Sequence, residues 1–158
     1  MIKNRGQLEK RHSGKGVSIA LGALEAAVNG VEPGLLVRRA VAYDSAAATI
    51  TVRDMRGSVE RFCDFGDVHV VGAGKAAAAM AGALCAILRG RVAGGAINVP
   101  HGDSSSMKTD SDFCGIAVTH ASHPVPDENG IRGTKKIVRV LERARKGDIV
   151  FVLISGGG

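Results

Sequence analysis

The segment "VVGAGKAAAAM", residues 70–80, decides the fold. Two β-branched residues run into Gly-Ala-Gly-Lys and then into a row of alanines. A strand, a glycine turn and a helix are thus written in direct succession. Lys75 stands in that turn, either as the cation of an anion-binding helix start or as a solvent-facing charge.

The same pattern repeats downstream. "VHVVG" at 68–72, "GAINV" at 95–99, "GIAVTHA" at 115–121 and "DIVFVLI" at 148–154 are short runs rich in Val and Ile, each bounded by glycine or a polar loop. After the first run comes "KAAAAMAGALCAILRG", whose Met80, Leu84, Ile87 and Leu88 share one helical face. Before the last comes "DENGIRGTKKIVRVLERARKG", with Ile131, Val138, Leu141 and Ala144 as an apolar stripe. Its acids lie at the start and its bases at the end, the order that a helix dipole favours. Continuous apolar strands alternating with helices indicate a largely parallel sheet covered on both faces. The fold class expected is α/β, doubly wound and Rossmann-like.

Upstream of this region, Val17, Leu21, Leu24, Ala27 and Val28 recur at helical spacing, and Pro33 opens a short second helix with Leu35, Leu36, Val37, Ala40 and Val41 on its apolar face. "ATITV" at 48–52 and "SVERF" at 58–62 read as a hairpin around Gly57 that decorates the main sheet. Residues 1–15 read as a loose basic tail, and residues 16–158 as one α/β domain that stops in mid-motif, a strand having just entered a glycine loop.

Composition narrows the classes. The 158 residues are 45% hydrophobic and 23% charged, which is globular rather than disordered. Cys63, Cys85 and Cys114 are scattered and odd in number, without the spacing of a disulfide framework or zinc site, so a reducing cytoplasm fits. No apolar run has signal-peptide or membrane-spanning character. A net charge of +6 raises the question of nucleic acid. The basic residues, however, fall in the amino-terminal stretch and along the helix carrying Arg132, Lys135, Lys136 and Arg139, and almost no aromatics accompany them. A solvated helix face explains them better than a nucleic-acid surface.

Ligands of open α/β sheets collect at the carboxyl ends of the strands. Four loops qualify: "GAGK", "PHGDSSS", "HASHPVPDEN" and "SGGG". Gly72, Gly74 and Ala77 match the dinucleotide spacing, but residues 92–99 hold no acid for a ribose. A Walker A loop fails as well, because His69 and Ala76 stand where glycine and Ser or Thr are needed. His120 and His123 lie two residues apart in a loop with no completing ligand, so substrate contact or structure explains them better than a metal.

Taken together and in order, "VVGAGKAAAAMAGAL", "GAINVPHGD", "ASHPVPDENGIRGTKKIVRVL" and "DIVFVLISGGG" closely resemble the amino-terminal domain of the glycerate kinases that carry a MOFRL carboxyl-terminal domain, the glycerate 2-kinases among them. The resemblance implies transfer of the γ-phosphate of ATP, with Mg²⁺, to a hydroxyl of D-glycerate. The expected product is 2-phosphoglycerate rather than 3-phosphoglycerate. Lys75 matches the family's lysine implicated in catalysis. Gly72 and Gly74 match its glycine turn, and Ser155, Gly156, Gly157 and Gly158 its phosphate- or carboxylate-holding loop. His123 would line the same cleft. The partners implied are ATP and D-glycerate, with no nucleic acid or membrane and with room for a homo-oligomer. Members of this class are more than twice this length, so the chain on its own is expected to be an incomplete, poorly active part. The alternative is a non-catalytic nucleotide- or sugar-phosphate-binding module.

Overall fold

The computed structural model describes residues 2–12, 14–102 and 114–155. Its centre is a four-stranded parallel sheet in the order β6-β5-β4-β7, built from β4 (Val68–Ala73), β5 (Val92–Pro100), β6 (Ile116–Ala121) and β7 (Ile149–Ile154). Helix α4 (Ala77–Leu88) joins β4 to β5, and α5 (Glu128–Arg143) joins β6 to β7. The first connection steps toward β6 and the second steps back past β5 and β4, so right-handed crossovers put the two helices on opposite faces. Side chains agree: Ile97 packs in the core with Ala81 and Leu84, while its neighbour Asn98 hydrogen-bonds Gly130 of α5.

The alanine row now has a physical reason. α4 packs on the sheet with one side and on α3 (Pro33–Ala40) and β1 (Val41–Asp44) with the other. A helix enclosed this way is apolar all round, and small side chains let its neighbours approach. Ala77, Ala78 and Ala81 are all 1% exposed or less, and Leu84 and Leu88 are fully buried with Val68, Val70 and Ile97.

The hairpin does not join the main sheet. β2 (Thr49–Arg53) and β3 (Val59–Phe62) pair antiparallel with each other and β2 with β1, giving a separate three-stranded sheet whose Ile50 is fully buried in the shared core. Val41, expected on the second helix's apolar face, instead starts β1.

The amino-terminal stretch also differs from the expected loose tail. It carries α1 (Arg5–Arg11), and the Arg5 guanidinium reaches Glu25 of α2 (Lys15–Gly30) while the Ile2 amide donates to the same carboxylate at 2.9 Å. On α2 only Leu21 is buried, and Leu24 and Val28 are exposed. The cysteines are free thiols; Cys85 lies beside Cys114, and burial pushes its thiol up to about 12. Among the described residues no single helix is long and apolar enough to cross a membrane.

Candidate active site

The strand order places the topological switch between β4, from which the chain steps toward β5, and β7, which it reaches by stepping back the opposite way. At the carboxyl ends of these two strands the glycine turn meets the end of β7. The Ser155 amide donates to the Ala73 carbonyl at 3.1 Å, and the Ala76 amide donates to the Ser155 hydroxyl at 2.7 Å. Ser155 thereby satisfies one of the unpaired amides at the start of α4, where no local side chain caps the helix.

Gly74 sits in this junction with φ +110, and a Cβ there would lie 1.9 Å from the Ser155 carbonyl oxygen. No other residue fits that backbone or that space. Gly72 is buried one step earlier, where a Cβ would lie 2.4 Å from the Leu153 carbonyl oxygen, so close packing of β4 against β7 requires it. Lys75 occupies the turn itself. It is exposed, forms no hydrogen bond or ion pair among the described residues, and is adjacent in sequence to the Ala76 amide that meets Ser155. Gly156, Gly157 and Gly158 lie outside the described residues.

Beside this junction, an open cleft of about 480 Å³ lies over the ends of β4, β5 and β6 and against the first turns of α5. Gly74 and His123 line it; Gly72, Lys75 and Ser155 do not. The sequence-derived site is therefore split between two neighbouring places that share Gly74. His123 is exposed and precedes Pro124 through a cis peptide bond.

Sequence reasoning missed four cleft residues: Asn98, Ser122, Thr134 and Lys135. The Asn98 amide nitrogen donates to the Gly130 carbonyl at 3.2 Å and to the Thr134 hydroxyl at 3.4 Å. Its carbonyl oxygen is buried without a hydrogen-bond partner, facing Gly133, where a Cβ would lie 1.8 Å away. An asparagine within the apolar run "GAINV" was the one local signal.

Asp127 caps α5. One carboxylate oxygen accepts from the Gly130 amide at 2.8 Å; the other accepts from Ser122 at 3.0 Å and Asn129 at 3.4 Å and lies 3.6 Å from His101 Nε2. The Gly130 amide first, then Ser122 and His101, hold this carboxyl down at about 2 against the opposing effect of desolvation. No carboxylate lines the cleft among the described residues, and no cluster of three His, Cys, Asp or Glu there could hold a metal ion. The described residues therefore do not form a protein cage for Mg²⁺.

Residues 19–158 match the family model described as "Domain of unknown function (DUF4147)". The chain is 44% identical over 93 residues to a protein named glycerate 2-kinase from Pyrococcus horikoshii, covering 59% of this chain and 19% of that protein. It is 30% identical over 142 residues to the human protein named glycerate kinase, covering 85% and 26%. A relative from Agrobacterium vitis, 39% identical over 89 residues and covering 56% and 19%, is named putative hydroxypyruvate reductase. The crystal structure of the PH0495 protein from Pyrococcus horikoshii superposes with a TM-score of 0.72 at 35% identity, covering 92% of this chain and 30% of that one. The chain thus spans about a fifth to a quarter of the length of the curated relatives it matches. With the match running from residue 19 to residue 158, this chain belongs to the DUF4147 family.

Proposed function

We propose that this chain is part of an ATP-dependent D-glycerate kinase forming 2-phosphoglycerate, and that it supplies one wall of the catalytic cleft in the cytoplasm. The observation that carries the reading is the switch-point junction, where Ser155 ties the end of β7 to the turn holding Lys75. In phosphoryl transfer the protein mainly positions the reactants and neutralises charge. Lys75, exposed at a helix start and without a hydrogen bond or ion pair among the described residues, suits the phosphates of ATP, which would carry Mg²⁺ with them. An acceptor hydroxyl in the neighbouring cleft would attack the γ-phosphorus; the new O–P bond forms as the bond to the β-phosphate oxygen breaks. His123 is the lining side chain suited to take the hydroxyl proton.

The names of the kinase relatives and the coverage support this reading, and also its limit: the complete reaction draws on groups beyond this quarter of a kinase. Lys75→Ala is expected to weaken ATP binding, measured by calorimetry, by about tenfold. Unchanged affinity would remove the lysine from the mechanism. A coupled ADP-release assay is expected to show little turnover by the chain alone, and ordinary kinase turnover would refute the partial-site reading.

The second reading, a nucleotide- or sugar-phosphate-binding module without catalysis, is favoured by the absence of a carboxylate base among the cleft-lining residues described. Ligand binding without ADP release, even when the rest of a kinase is supplied, would select it. The reductase name carried by two relatives finds less support, since residues 92–99 offer no acid to a nicotinamide ribose.

A further inference from the structure

Resting on the kinase reading above, we propose that Lys135 is the substrate-binding residue that anchors the carboxylate of the acceptor hydroxy acid in the cleft over α5. The charge balance of the cleft carries the argument. Among the described residues that line it there is no Asp or Glu, and Lys135 is its one lysine or arginine. Asp127, at the start of α5, has both oxygens committed to the donors that cap the helix, and neither it nor Glu128 and Glu142, which flank Lys135 elsewhere on the helix surface, is part of the lining. Among the described residues, the unspent charge facing the cleft is therefore positive, which favours an anion.

Position on the helix separates Lys135 from its neighbours. Ile131, Thr134 and Lys135 stand three and four residues apart on the flank of α5 that borders the cleft. Arg132 is engaged by Asn129, and Lys136 donates to the Thr119 hydroxyl at 3.4 Å on β6. Lys135 has no hydrogen bond or ion pair among the described residues, and a four-carbon stem lets its ammonium swing over the opening.

The arrangement also orients the substrate. Gly74 lines the cleft with its backbone while meeting Ser155 in the switch-point junction. A hydroxy acid held by its carboxylate at Lys135 directs its hydroxyls toward the β4 turn, where Lys75 stands. A volume of about 480 Å³ takes a three-carbon acid with room for the phosphoryl group it receives.

The test is amide NMR on the isotope-labelled chain, titrated with D-glycerate, glycerol or inorganic phosphate. D-Glycerate is expected to shift the amides of Ser122, Gly130 and Thr134, and glycerol, which has hydroxyls but no carboxylate, to leave them unmoved. Lys135→Gln is expected to weaken D-glycerate binding about tenfold, and Lys136→Gln to change it by less than about twofold. Undiminished affinity in Lys135→Gln, an equal loss in Lys136→Gln, or no response in the cleft overturns the proposal. Inorganic phosphate binding at these amides as tightly as D-glycerate also overturns it, by assigning the cleft to a phosphoryl group. A parallel ATP titration read at Gly72, Ala76 and Ser155 tests the kinase reading by itself. An ATP response without a glycerate response sinks the carboxylate anchor alone; a glycerate response without an ATP response leaves the anchor standing and removes the switch-point junction as the ATP site.

Discussion

Helices α4 and α5 cover opposite faces of the same sheet, yet they are finished to different degrees. α4 is closed in by the sheet on one side and by α3 and β1 on the other, and its leucines and most of its alanines are buried. α5 packs on the same sheet but has no such second layer over it among the described residues, and it leaves Ile131, Val138 and Leu141 exposed. On its side of the sheet β7 shows Val152 and Ile154 to solvent at 59% and 76%. Stability therefore resides on the α4 face, and the cleft opens on the face that is less fully covered.

The largest test of this asymmetry is a pair of truncations. Leu84→Ala, which empties a fully buried site, is expected to cost about 2–5 kcal/mol in chemical denaturation. Leu141→Ala, on the exposed side of α5, should stay within about 0.5 kcal/mol. Comparable losses at both sites would mean that the two faces are equally packed.

A smaller effect is expected at the one place where α5 sits tightly. Gly133→Ala gains about 1 kcal/mol of helix propensity but drives a methyl group into the Asn98 carbonyl, only 1.8 Å from the Cβ position. Overpacking of this kind costs about 1–3 kcal/mol, so a net destabilisation is expected. A Tm that rises instead would show that α5 can slide on the sheet.

The smallest effect concerns the cap that starts α5. Asp127 is held at about 2, below its ordinary 3.8, chiefly by the Gly130 amide. Because the folded-state value is depressed, its contribution is fully present above about 3.8 and is lost as the pH falls toward about 2. Acid titration of the denaturation midpoint should show a shallower fall over that window for Asp127→Ala than for the unaltered chain. Parallel curves would remove the cap from the account of α5.

Much of the fold was legible because hydrophobic periodicity reports on burial directly. All four parallel strands and both crossover helices stand where the runs of Val and Ile and the helical stripes put them. β1 was hidden because "VAYD" continues the apolar face of the helix before it, and the separateness of the hairpin sheet depends on packing against α4, which no local pattern records. At the site, the glycine turn was legible through its backbone demands. The Ser155–Ala76 bond was not, since it joins residues 79 apart. Lys135 was one base among many on its helix until the fold set it above the cleft.

Among the described residues β7 pairs with β4 alone, and it carries two exposed branched side chains along one face. Such a strand is an adhesive rim, since its outer backbone groups can template pairing with another chain. The +6 net charge is the colloidal counterweight, because copies repel one another before their rims can meet. At about 0.1 M salt that repulsion reaches only ~10 Å, so pairing of separate copies through this edge strand is expected to rise with ionic strength.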